Sequence, residues 1–171
     1  MDVRNQLLVD NSQANAMLIA NYIGADKAKF AEFMQLFLQT HYRVTQRASL
    51  VLNIITKQKF ELVEPYLEQL ILLLEPKTEV GVLRNIVRML QFVDIPEELL
   101  GLAFEKCYHL VALRETPVAV KSFSISILFN ICKKEPELKN EVADLVQMQL
   151  PGASAGLKNR SLKVLKGLAK L

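Results

Sequence analysis

One hydrophobic pattern recurs along this chain at intervals of 38, 38 and 37 residues, and a recurrence that regular leaves few folds open. It begins as Val44, Ala48, Val51, Leu52 and Ile55 and returns as Val82, Ile86, Met89, Leu90 and Val93. The third copy is Val120, Ser124, Ile127, Leu128 and Ile131, and the last is Leu157, Ser161, Val164, Leu165 and Leu168. Offsets of four, seven, eight and eleven fall on one stripe of an α-helix. A helix cannot cover its own stripe, so neighbouring copies must do it. The repetition therefore predicts an all-α fold, an α-solenoid of stacked helix pairs.

Each period divides into two helices. In the second repeat a helix over 62–75 carries Val63, Tyr66, Leu67, Leu70, Leu73 and Leu74, and a break at Pro76-Lys77-Thr78 precedes a second helix over about 79–93. Pro96 with Glu97 and Glu98 opens the third repeat, where Thr116-Pro117 supplies a cap and a first-turn proline for the next helix. Lys134-Glu135-Pro136-Glu137 opens the fourth, which turns at Pro151-Gly152-Ala153-Ser154. The first full repeat has Phe30, Phe33, Met34, Phe37 and Leu38 on its first helix. Ahead of it, Ala16, Ile19, Ala20 and Ile23 reproduce the second-helix stripe, and Gly24 is placed to end that helix. The expected layout is one domain of about nine helices: an N-terminal capping helix within 1–25, then four helix pairs over about 26–60, 61–95, 96–135 and 136–171.

Composition narrows what such a fold does. At 171 residues, with 51% hydrophobic and 23% charged residues, the chain can bury a sizeable core. No apolar run approaches the roughly 18 to 20 residues of a membrane span, and Met1 to Gln6 lacks the pattern of a secretory leader, so no membrane partner and a cytoplasmic location are expected. Cys107 and Cys132 fall on the two helices of one repeat, without CxxC spacing. They read as buried free thiols. His41, in a turn, and His109, on a first helix, stand in different repeats, and no HExxH, Ser-His-Asp, phosphate-binding glycine loop or EF-hand pattern is present. The expectation is a non-enzyme with no catalytic residue, no cofactor and no metal.

The tetratricopeptide and ankyrin signatures are absent. The second helices instead carry an apolar residue, a basic residue, then small and aliphatic positions, as in Val44-Thr45-Gln46-Arg47-Ala48-Ser49-Leu50-Val51-Leu52 and in Leu157-Lys158-Asn159-Arg160-Ser161-Leu162-Lys163-Val164-Leu165. In this the chain resembles HEAT repeats over about 145 of its 171 residues, although Phe123 stands where the third repeat would carry an arginine. Tyr42 to Arg47, Tyr-Arg-Val-Thr-Gln-Arg, is similar to a segment of small bacterial HEAT-like proteins, some of which carry an adenylosuccinate lyase label. The chain is far shorter than such lyases and lacks their Ser-x-x-Met-x-x-Lys-x-Asn loop, so the resemblance implies the fold, a right-handed α-α superhelix, and not that chemistry.

Charge follows the repeat. The second helices hold Arg43, Arg47, Lys57, Arg84, Arg88, Lys121, Lys133, Lys158, Arg160, Lys163, Lys166 and Lys170 and, past an opening Glu79, no Asp or Glu. Acids such as Glu32, Glu68, Glu105 and Asp144 lie on first helices and loops. The HEAT resemblance implies that second helices line a concave side. Beside the buried stripe, the aligned positions are Gln46, Leu50, Asn53 and Lys57; Arg84, Arg88, Gln91 and Ile95; Ser122, Ser126, Phe129 and Lys133; and Asn159, Lys163, Lys166 and Lys170. The expected partner-binding residues are Arg43, Arg47, Asn53, Lys57, Arg84, Arg88, Gln91, Phe129, Lys133, Lys163, Lys166 and Lys170. Each cation also has a plainer explanation: a solvated face, a helix dipole for Lys166 and Lys170, or an ion pair for Arg47 and Arg160. Phe129 has one too, as a packing residue.

A basic groove suits an acidic peptide or another extended anion. The leading expectation is a non-catalytic scaffold binding an acidic or extended protein partner. Nucleic-acid binding or a DNA-repair role is the alternative, by likeness to alkylpurine glycosylase stacks, which cradle DNA on a basic face. Against it stand the absence of Trp, a net charge of +3, and groove rows that hold no acid for base excision. An enzyme acting on small metabolites is the third.

Overall fold

The computed structural model describes residues 1–39 and 42–171, and its regular structure is helical, with no strand among the described residues. The chain divides into two compact units, Met1–Glu68 and Gln69–Leu171. The first holds α1 (Val3–Val9), α2 (Gln13–Ile23), α3 (Lys27–Gln39), α4 (Tyr42–Gln58), the single turn α5 (Phe60–Val63) and a 3-10 turn at Glu64–Tyr66. The division falls inside α6 (Leu67–Leu72). In the second unit follow α7 (Val80–Leu90), α8 (Glu97–Ala112), α9 (Val118–Lys134), a 3-10 turn at Pro136–Leu138, α10 (Lys139–Gln147) and α11 (Ala155–Leu168).

The repeated stripe is the core. Every stripe residue of the four second helices is buried except Leu165, which is half-buried, and Ala16, Ile19, Ala20 and Ile23 are buried on α2. Each unit is organised about one second helix: α4 packs on α1, α2, α3 and α5, and α9 on α7, α8, α10 and α11. A helix with its own pair partner on one flank and adjacent second helices on others can bury a broad apolar face, and α9 does so with Val120, Ile125, Ile127, Leu128 and Ile131. Gly24 ends α2 as the pattern requires, at φ 54° with its N–H donating to the Ala20 carbonyl at 2.9 Å.

Four local features depart from the sequence expectation. The helix expected over 62–75 is broken, because Pro65 has no N–H to donate and its ring crowds the carbonyl of the preceding turn; the chain passes through 3-10 geometry there, and α6 ends at Leu72. Val63, Leu67, Leu70 and Leu74 stay buried despite the break. The helix expected over 79–93 runs from Val80 to Leu90, with the Glu79 carboxylate accepting from the Val82 N–H at 3.0 Å as its cap. Glu79 therefore stands outside the helix, and no acid lies within α4, α7, α9 or α11. Thr116 does not cap α9; Pro117 occupies that position with no side-chain cap. Finally, residues 1–25 hold two helices, since α1 precedes α2.

Both cysteines are free and buried as expected. Burial pushes the Cys107 thiol up to about 12 and Cys132 up to about 11, so neither offers a thiolate near neutral pH. Among the described residues no helix is long and apolar enough to cross a membrane.

Candidate interaction face on the second helices

In the C-terminal unit the cations of α7, α9 and α11 fall into two groups. Some hold the fold together. Arg160 on α11 donates from Nη1 to Ser126 Oγ on α9 at 2.6 Å and reaches Gln91 Oε1 at 3.5 Å, so one guanidinium ties three second helices. Lys121 is buried and donates to Gln149 Oε1 at 2.9 Å; burial pulls its pKa down while Glu115 opposes the shift. Lys134 pairs with the Asp94 carboxylate and donates to the Ile95 carbonyl at 2.8 Å.

The others face solvent. The side chains of Arg84 and Arg88 on α7, and of Lys163 and Lys166 on α11, are exposed and have no hydrogen bond or ion pair to any described residue. Lys170, expected on a second helix, lies just beyond α11 and is exposed. Lys133 in the last turn of α9 is exposed and oriented: its Nζ lies 4.5 Å from the Phe129 ring centroid and donates to Asn130 Oδ1 at 2.9 Å. Phe129 is half-buried and packs on α11, where a Cβ on Gly167 would come within 2.5 Å of its ring. The packing explanation thus accounts for one side of Phe129, and the other side carries the Lys133 ammonium.

One sequence expectation is corrected here. Ile95 is 4% exposed and belongs to the core, because α7 ends at Leu90 and the four-residue spacing that placed Ile95 on a groove face no longer applies. Gln91 is the C-cap of α7 and is engaged: its carbonyl accepts from Asn130 Nδ2 at 2.9 Å, and its own Nε2 donates to the Arg88 carbonyl at 3.1 Å. The same helix end hid Phe92, which is 74% exposed and was not among the expected site residues.

In the N-terminal unit, Arg43 and Lys57 are exposed at the two ends of α4. Arg47 is half-buried and donates from Nη1 to the Leu7 carbonyl at 2.9 Å, serving the end of α1. Asn53 is half-buried and donates to the Ser49 carbonyl at 2.8 Å. His41 lies outside the described residues, and His109 is exposed on α8.

Paired helices wrapped about repeated apolar stripes define a helical-repeat protein, and the family model for the HEAT repeat domain matches residues 3–168. The chain belongs to the HEAT repeat family. HEAT repeats are generally scaffolds for protein interactions, and the family is typically non-enzymatic. No curated protein and no solved structure matches the chain.

Proposed function

We infer that this chain is a scaffold that docks an acidic or extended segment of a partner protein on the second helices of its C-terminal unit. The observation that carries it is the one-signed charge: α7, α9 and α11 hold no acid, and Arg84, Arg88, Lys163 and Lys166 have no intramolecular partner among the described residues. Cations without partners keep their full capacity for charge-assisted bonds to a ligand. On α4, Arg43 and Lys57 offer the same chemistry, whereas Arg47 is committed to α1. Reversing Arg84 and Arg88 together to Glu is expected to abolish capture of the partner from lysate while leaving the melting temperature nearly unchanged. Undiminished capture would remove this face from consideration.

Nucleic acid is the second reading, supported by an exposed phenylalanine close to lysines, which is also how single strands are held. Its signature is a steep loss of affinity with salt in an oligonucleotide titration, and no binding at low salt rejects it.

A further inference from the structure

Charge does not account for Phe92. Its ring is 74% exposed, yet the turn that carries it is braced rather than slack. The Phe92 and Val93 amides donate to the Met89 and Leu90 carbonyls, both at 3.1 Å, while α9 grips the turn through Asn130 at the Gln91 carbonyl and Lys134 at the Ile95 carbonyl. A large apolar side chain is thus held out in solvent by four hydrogen bonds.

Phe92 borders two depressions, together with Gln91, Asn130 and Lys133. The inner one, about 260 Å³, is floored by Leu90, Val93, Leu100, Ile127 and Ile131. The outer one, about 230 Å³, is lined by Phe129, Lys133, Arg160 and Lys163 and contains no acid. Each is smaller than the roughly 300–1,000 Å³ of sites that enclose a small molecule, and suits a single side chain.

We propose that these two depressions read a composite feature of the partner: a large apolar side chain seated against Phe92 over the inner floor, with a neighbouring carboxylate on Lys133 and Lys163 in the outer depression. The proposal rests on the docking of an acidic segment argued above and adds to it an apolar anchor. Charge complementarity selects the occupant. The outer depression carries three cations and no acid, whereas Asp94 sets a carboxylate, paired with Lys134, at the rim of the inner one. A phosphate backbone would meet that carboxylate and an aliphatic floor; an apolar side chain meets a surface that matches it. Phenylalanine is also among the residues enriched at protein–protein interfaces.

Two fluorescein-labelled peptides test the idea, one of Asp and Glu with central leucines, the other with serines replacing the leucines. The leucine peptide is expected to bind wild type about tenfold or more tightly than the serine peptide, and Phe92→Ala to erase that difference without weakening the serine peptide. Lys163→Glu is expected to weaken both. Phe92→Trp introduces the sole tryptophan of the chain, whose emission should shift to the blue with the leucine peptide only. Equal binding of the two peptides, both weakened by Lys163→Glu, overturns the apolar anchor and leaves the acidic-segment reading standing. Binding of neither peptide, or tighter binding of an oligothymidylate than of the leucine peptide, overturns both.

Discussion

Two serines occupy the same stripe position in successive repeats, and their surroundings differ. Ser124 and Ser161 are fully buried, and neither Oγ has a nitrogen or oxygen partner. The first repeat uses Ala48 at this position. A buried hydroxyl without a partner costs about 1–3 kcal/mol relative to a satisfied one, so Ser161→Ala is expected to stabilise the protein by about 1 kcal/mol in urea unfolding. Ser124 lies beside the Cys107 thiol, whose pKa its hydroxyl pulls down against the larger effect of burial; sulfur is a weak partner, so Ser124→Ala should gain less. A loss of stability in Ser161→Ala would mean that the hydroxyl is bonded in solution. The Glu75 carboxylate accepts a hydrogen bond from the Lys106 ammonium. Its hydrogen bond to Lys106 holds its pKa below the usual Glu value of 4.5, outweighing partial burial. A depressed carboxylate pKa contributes stability above its unfolded value and loses it as pH falls through the folded one. The stability gap between wild type and Lys106→Met should be widest above about pH 4.5 and close below it.

At the scale of elements, the shortest helices show what packing adds to local propensity. With seven residues α1 is too short to persist in water, and no stripe copy marks it. It is held by the burial of Leu7, by Asn15 donating to the Gln6 and Asp10 carbonyls at 2.9 and 3.2 Å, and by Arg47 at the Leu7 carbonyl. Arg47→Met removes the last of these and is expected to speed amide exchange about tenfold in residues 3–9, with α2 and α4 little changed; uniform protection would contradict a local role. The α5–α6 break makes the complementary point. Its apolar positions were legible, but the single proline that divides them sets backbone geometry without disturbing which residues are buried. The end of α7 was the costly misplacement, since three residues assigned to helix hid an exposed phenylalanine and put a core isoleucine on a groove.

For the molecule as a whole, the repeat is the source of both the fold and the charge asymmetry. A net charge of +3 is modest, yet the acid-free second helices concentrate positive charge on one class of element. Because Arg84 and Arg88 have no partners among the described residues, their reversal should change binding far more than folding, which is why that pair tests the surface cleanly. The periodicity determined by itself that the chain is helical and where its stripes lie, and it left Glu79 as the one acid on the helices that carry the cations, since these depend on spacing within one helix. Tertiary structure alone decided which cations are spent on neighbours and which face solvent, as with Arg160 bound across three helices and the exposed Lys163. It also decided that Phe92 stands exposed on a braced turn. Those outcomes depend on where a helix stops and on which carbonyls and carboxylates lie across the interface, and neither distance along the chain nor residue type encodes that proximity.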